Sequence, residues 1–403
     1  MHRILFALII LFQLDLVLPA QSIFSASKNG IGLRHYSSSV RGSGMGATGL
    51  ALSDSISLNA YNIASWSNIN NTRINLSLRY HWISTEIVLL DQSQSFTRST
   101  ANFEGLQLAI PLQKKRWVIG ASISPYALTN FNYSYSYQQA EISYKQNVFY
   151  EGNIARSQIS LIWSPHRRMG FAASLNYFFG AIKDRYYLIF NNSQLSDQYY
   201  KIEYRFRGPG IGLSTELYPF DHFILGGFID FKPRISYTQL YVSPISYEEK
   251  SSLMKTSFPI FAGIGGSYRF GTSWLISSDI IYQDWSKGLK LNSQVNNLEE
   301  FRQMGIGLEH TRAAEKTKKY LNKFDSRIGF SYRKIGYIFH SISMREYAMH
   351  IGFGFTFFRE QARLDLAFIG GIRGNQEKTL AEEKFIKSMI SISAGELWFQ
   401  KQR

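Results

Sequence analysis

From Ile74 to Trp82 the chain alternates without a break: Ile74, Leu76, Leu78, Tyr80 and Trp82 are apolar, and Asn75, Ser77, Arg79 and His81 between them are polar. A period of two puts successive side chains on opposite faces of a strand, so this segment has one greasy and one wet face. The pattern returns at Phe171, Ala173, Leu175, Tyr177 and Phe179, and again at Met349, Ile351, Phe353, Phe355 and Phe357. Fourteen strand segments are legible: 72–82, 103–112, 117–137, 147–164, 169–190, 198–218, 223–241, 252–269, 274–285, 303–312, 323–337, 346–357, 362–374 and 383–398. A soluble β-sandwich also alternates, and the connections separate the two folds. Odd-numbered connections are long and even-numbered ones short, except 313–322, as in an antiparallel transmembrane barrel with both termini in the periplasm. The expected fold is therefore all-β: a transmembrane antiparallel barrel of about 14 strands, with long extracellular loops at 83–102 and 286–302. Several segments exceed the ~9–11 residues that cross a bilayer, so the barrel should project beyond it.

The tryptophans test this arrangement, because indole rings favour the headgroup level. Trp82 and Trp285 fall at expected outer strand ends, and Trp117, Trp163, Trp274 and Trp398 at expected periplasmic ends. Aromatic residues make up 15% of the chain, which suits strands. The absence of Cys excludes disulfide scaffolds, thiolate metal sites and Cys nucleophiles. Residues 1–20 read as a signal peptide: Arg3, an apolar run from Ile4 to Leu14, and a small-residue exit at Pro19-Ala20. That run is too short to span a membrane as a helix.

Residues 72–403 make the barrel, which leaves 21–71 as a separate segment without alternation and rich in Gly. A barrel of this size is too wide for side chains alone to fill, so 21–71 is expected to fold back as an N-terminal luminal hatch. Gly44-Met45-Gly46-Ala47-Thr48-Gly49 has the form of a dinucleotide fingerprint, but no apolar strand precedes it and no carboxylate lies between Asp54 and Glu86. Close backbone packing explains these glycines better. The formal charge of +15 invites a polyanion partner. The basic residues gather at expected periplasmic turns, among them Lys114, Lys115, Arg116, Arg167, Arg168, Lys316, Lys318 and Lys319, facing lipid headgroups. The expected partners are outer-membrane lipids, a hydrophobic small-molecule ligand and the barrel assembly machinery, with no nucleic acid; a monomer is expected. The eight His show no metal-ligand spacing, and neither GxSxG nor HExxH occurs, so no cofactor, metal or enzymatic activity is expected. A hydrolase would have only His81 near the outer rim to work with.

Three stretches carry a family resemblance. Phe24 to Gly32, Gly44-Met45-Gly46 to Asp54, and Asn59-Ala60-Tyr61-Asn62-Ile63-Ala64-Ser65-Trp66 resemble the hatch of FadL-type outer-membrane transporters for hydrophobic compounds, with the closest likeness to relatives in the Bacteroidetes and Chlorobi group. Asp279 to Asp284-Trp285-Ser286 looks like the family's Asp…Asp-Trp-Ser strand, and Glu383 to Phe399 like its closing strand. The chain departs from the family at Asn62-Ile63-Ala64, where the family has Asn-Pro-Ala, and at its end, which lacks a terminal aromatic residue. The resemblance implies a hatch at Gly44, Met45, Gly46, Asn59, Asn62, Ile63 and Ala64. It also implies lateral release of substrate through a kink in the third strand. Gly120 and Pro125 mark that candidate gate, since Pro cannot donate to the neighbouring strand and favours a bulge. The expected function is passive uptake of hydrophobic small molecules, fatty-acid-like or aromatic, with the apolar run Ile87 to Leu90 near the entrance. A PorV-like carrier component of a protein secretion system has the same fold and is the alternative reading.

Overall fold

The computed structural model describes residues 22, 31–36, 39–89, 92–113, 116–139, 142–191, 195–242, 249–286, 298–312, 324–339, 341–357, 361–375 and 381–396. Its fourteen barrel strands are β1 (Thr72–Leu89), β2 (Gln92–Gln113), β3 (Trp117–Gln139), β4 (Ile142–His166), β5 (Met169–Phe190), β6 (Gln198–Phe220), β7 (Phe223–Asp230 and Arg234–Val242), β8 (Glu249–Ser257 and Phe261–Phe270), β9 (Trp274–Asp284), β10 (Leu298–His310), β11 (Asp325–Phe339), β12 (Ile342–Phe357), β13 (Ala362–Asn375) and β14 (Ala381–Glu396). Each is antiparallel to its neighbour, and β14 closes the barrel on β1 from Ala381 opposite Ile87 to Glu396 opposite Thr72. Closure removes the free sheet edges that hydrocarbon does not tolerate.

The alternation is inverted relative to a soluble protein. Along β5, Phe171, Leu175, Tyr177 and Phe179 are exposed, whereas Ala172, Ser174 and Asn176 are buried. Ile211, Ile280, Ile306, Ile328, Met349 and Ile392 extend this exposed band around the barrel. In water that surface would cost about 25 cal/mol per Å2; against lipid it costs nothing. No helix among the described residues is long and apolar enough to cross a membrane. Trp163 and Trp274 are exposed at the short-turn end, where Trp117 stacks on Trp163 and Trp274 packs edge-on to His310.

Three expectations need correction. Residues 83–102 are not an open loop: β1 and β2 stay paired out to Leu89 opposite Gln92, forming a hairpin that continues the wall. Trp285 is not in a girdle, being 1% exposed and turned into the lumen. Residues 298–302 of the expected loop 286–302 belong to β10, and Trp398 together with Lys114, Lys115, Lys316, Lys318 and Lys319 lies outside the described residues.

Proline bends the wall where β6, β7 and β8 meet. β7 breaks at Pro233 and β8 at Pro259, and the pairing of β6 with β7 skips Pro209, running from Arg207 opposite Ser236 to Gly212 opposite Asp230. A residue without an N–H leaves a gap in the ladder, and here several gaps coincide.

Candidate functional site: the hatch and the split seam

Residues 39–69 touch the inner wall on every side, and glycine sets how closely. Gly46 adopts φ +70, and a Cβ there would overlap the carbonyl oxygens of Ile306 and Phe330. The strands answer with glycine of their own: side chains at Gly305, Gly307 or Gly329 would run into the backbone of Met45 and Gly46. Gly44 meets Gly352 backbone to backbone. Met45 is fully buried with Leu52 and Leu275.

Polar anchors fix the turn after these glycines. The Asp279 carboxylate accepts from Gly49 N (2.5 Å) and Leu50 N (2.8 Å). Asn59 donates to the Gly49 carbonyl and accepts from Tyr61 N and Asn62 N at 2.9 and 3.2 Å. Asn62 donates to Leu50 O at 2.5 Å, and a 3-10 helix, Ile63–Asn68, begins after it. Ala64 N donates to Ser214 Oγ at 3.0 Å, so the turn closes without the proline of the resemblance. Of the family-like strand motif, Asp279 and Trp285 face inward, whereas Asp284 caps the strand end through Ser286.

A buried belt of ion pairs, which the sequence alone did not reveal, joins the hatch to the wall. Arg41 clasps Glu309 with Nε at 3.0 Å and Nη2 at 2.5 Å, and reaches Asp54 with Nη1 at 2.5 Å. Arg327 bonds Glu309 at 2.7 Å and Asp365 at 2.8 Å, and Arg363 bonds Asp325 and Asp365, each at 2.8 Å. Burial alone would push the Asp54 carboxyl up, but Arg41, Arg363 and the N–H groups of Ile56 and Ser57 hold it down at about 2.

The seam between β2 and β3 is unlike the others. These strands pair only from Leu106 opposite Ile123 to Gln113 opposite Trp117; above that, 92–105 and 124–139 do not pair with each other. β2 stays on β1, and β3 stays on β4 out to Gln139 opposite Ile142, with Tyr126 bulged beside Pro125. The wall therefore splits where Pro125 has no N–H to give. Pro125 lies opposite Ala155, itself opposite the exposed Phe179, so the split begins at the level of the apolar band.

The hatch covers the split from inside. Leu33 and Arg34 form a short strand against Leu128 and Ala127, and His35 N donates to Tyr126 O at 2.9 Å. His35 Nδ1 accepts from Arg79 at 2.7 Å, so Nε2 carries the proton and donates to Glu104 Oε1 at 2.6 Å. Burial lowers the His35 pKa, as do Arg79 and Lys387, and Glu104 opposes them without reversing the shift. Above, Arg98 on β2 donates to Asn132 O on β3 at 2.7 Å and lies over Phe96 and Phe131. Behind the seam, Tyr126 stacks on Phe258 and Tyr36 on Phe301, within a luminal cluster that includes Tyr61, Phe228, Phe261 and Trp285.

Gly120 does not belong to the split. It lies in the paired part, opposite Ala109 and Ser160, and its missing side chain makes room for the Trp66 ring of the hatch. His81 is buried edge-on to Phe385. No group of metal-ligating residues occurs among the described residues.

The sequence matches the model of the BamG family over residues 1–216 and 234–403. No curated protein matches it. Among solved structures, a Pseudomonas aeruginosa FadL homologue is 11% identical with a TM-score of 0.64, over 90% of this chain and 99% of that one. The Ralstonia pickettii toluene transporter TbuX is 14% identical (TM-score 0.60; 90% and 99% covered), and the P. putida toluene transporter TodX 14% (0.59; 91% and 99%). At such identities the likeness is one of fold.

Proposed function

The chain belongs to the BamG family, and on that premise we propose that it is an outer-membrane channel for hydrophobic small molecules, with an exit in the barrel wall between β2 and β3. The split seam carries this reading. In hydrocarbon an unpaired backbone costs several kcal/mol unless protein covers it or it lines a cavity. Here it lies over an aromatic lumen and, among the described residues, is covered by the hatch strand and Arg98. An apolar molecule gathered among those rings can leave sideways into the bilayer once Leu33–His35 moves, without meeting the charged belt below. Two of the similar structures are named as toluene transporters, which accords with such a route in this architecture. Replacing Pro125 with Val supplies the missing N–H and favours zipping the seam upward. Uptake of a hydrophobic tracer by cells carrying Pro125→Val should fall several-fold at an unchanged level of folded barrel; undiminished uptake removes the exit from this place.

A second reading, a component that serves the assembly of other outer-membrane barrels, is favoured by the family match and by the segments 92–105 and 124–139, which do not pair with each other and, once Leu33–His35 leaves Tyr126 to Leu128, can take up a strand from another protein. Depletion separates the two. A channel's loss lowers tracer uptake and leaves other barrels at their normal levels, whereas loss of an assembly component lowers those levels first.

A further inference from the structure

Along the outer face of β5 the exposed apolar band runs from Phe171 to Phe179, about the length of strand that crosses a bilayer. What lies just beyond it, at the end away from the short turns, differs around the barrel. Register carries that level across three more strands: Phe179 lies opposite Arg207 on β6, Arg207 opposite Ser236 on β7, and Ser236 opposite Lys255 on β8. Arg205 follows one outward position higher on β6, and Arg234 one outward position lower on β7. Their neighbours in sequence, Tyr204, Phe206 and Ile235, are buried in the luminal cluster. Alternation therefore turns Arg205, Arg207, Arg234 and Ser236 outward, Lys255 shares the face of Ser236, and all four cations are exposed.

Carboxylates are scarce in this patch. Arg205 bonds Glu203 at 2.7 Å, whereas Arg207, Arg234 and Lys255 join no ion pair among the described residues. Cations just beyond the band on the other side of the barrel are matched. Lys384 on β14 lies 3.5 Å from Glu86 and 3.6 Å from Glu382, Lys334 on β11 lies 2.8 Å from Glu299 and 3.4 Å from Glu300, and Arg302 on β10 lies 3.3 Å from Glu300. Arg345 on β12 is unmatched among the described residues, but it has no second cation beside it on that face. Adjacent strands lie about 4.8 Å apart, so Arg207, Arg234 and Lys255 spring from points within roughly 10 Å of one another. Like charges gathered at the edge of hydrocarbon repel unless an anion lies between them. Their position at that edge, where long basic side chains reach the headgroups, is the one lipid-facing level that tolerates them.

We infer that this patch binds the phosphorylated glycolipid of the outer leaflet, lipid A, with Arg207, Arg234 and Lys255 on its phosphates and its acyl chains along the band below. Arg is suited to the task because its fork of N–H donors matches two oxygens of one phosphate. The same face favours a glycolipid over a glycerophospholipid. Farther up, Arg185 lies opposite Lys201 and over the Phe149 ring, and Tyr187 lies opposite Tyr199 with ring centroids 4.8 Å apart. A glycerophosphate headgroup is too short to reach this ledge from the patch. The sugars that extend from lipid A run along it, and tyrosine offers them an apolar ring face with a polar tip. The inference rests on a barrel placed in the outer membrane with its short turns toward the periplasm, and not on whether it is a channel or an assembly component.

The test uses the full chain. In cells, Ser236→p-benzoylphenylalanine places a photoreactive ring between Arg207 and Lys255, and Ile386→p-benzoylphenylalanine places one on β14, across the barrel. Irradiation should attach lipid A at the first position and several-fold less at the second. In detergent at constant ionic strength, the purified wild-type protein should bind phosphorylated lipid A more tightly than dephosphorylated lipid A or phosphatidylglycerol. That binding should weaken roughly tenfold or more in Arg207→Gln/Arg234→Gln, both exposed positions, and stay unchanged in Lys334→Gln/Lys384→Gln. Phosphatidylglycerol held as tightly as lipid A would reduce the patch to a general attraction for anions and overturn the inference. Equal binding with and without phosphates, unchanged binding in the folded Arg207→Gln/Arg234→Gln protein, or equal cross-linking at the two positions would overturn it as well. Should that variant fail to fold, the wild-type comparison and the cross-links decide between the same outcomes.

Discussion

Asp279 is a single carboxylate on which the hatch turn hangs, because Gly49 and Leu50 both donate to its Oδ2. Removing it leaves two buried N–H groups unsatisfied, at roughly 1–3 kcal/mol each. Asp279→Ala should therefore lower the stability of the folded barrel by about 2–6 kcal/mol in denaturant titrations, whereas Asp279→Asn, whose amide oxygen can occupy the same place, should lose at most about 1 kcal/mol. An equal loss in both would mean that the negative charge, and not the acceptor, holds the turn. Asp279 was legible in the sequence through its family-like strand. Its partners in importance, Arg41, Glu309 and Arg327, were not, since 268 residues separate Arg41 from Glu309 and only the register of β10 with β11 brings Glu309 opposite Arg327. Gly44 and Gly46 could be read as sites of close packing, but the facing glycines of β10 to β12 could not be matched to them without that register.

At the scale of elements, the strand cores were legible and their outer ends were not. Within the apolar band one face meets lipid and the other the lumen, so alternation is strict; above it both faces are wetted and the pattern fades, which is why 83–102 reads as a loop although it continues β1 and β2. The seam was half legible: Pro125 marks the place, but the hatch strand at Leu33–Arg34 is too short to leave a periodic signal. That strand is latched by His35, which faces Glu104 on β2, Arg79 on β1 and Lys387 on β14. Burial lowers its pKa below the ordinary value of about 6.5. The undocked segment thus binds a proton more readily than the docked one, so docking is at full strength above the ordinary pKa and weakens as pH falls through it. Hydrogen exchange of 31–36, corrected for its intrinsic pH dependence, should accelerate between pH 7.5 and 5.5 relative to the Ile63–Asn68 helix. His35→Gln should abolish the difference; an unchanged ratio in the wild-type protein would show that the latch does not titrate.

At the scale of the molecule, the barrel and its filling are built on separate principles. The wall closes through backbone pairing of β14 with β1 along the whole of β14, and no described residue before Thr72 enters that ladder. The filling is held by glycine contacts, Asp279 and the Arg41 belt, all of which end on the inner face. Fold class was therefore legible from alternation and connection lengths, which report the wall, while the lumen depended on contacts between distant segments. Because the two are separate, deleting residues 22–60 behind an intact signal peptide should spare the wall and empty the lumen. The β1 to β14 ladder does not need those residues, so the barrel should still assemble and remain heat-modifiable on gels. Its stability should drop, because Glu309 loses Arg41 and Asp279 loses both its donors, and burying a charge after removing its partner is costly unless water replaces it. Water can replace it here, since a fourteen-stranded wall without its filling leaves a lumen wide enough for an aqueous channel. Single-channel conductance in planar bilayers should therefore rise from near closure in the full chain to a steady open level in the deletion. A deletion that assembles but stays as closed as the full chain would mean that the wall collapses on itself or that residues 61–71 alone occlude it, and the hatch would then be a fixed part of the wall instead of its plug.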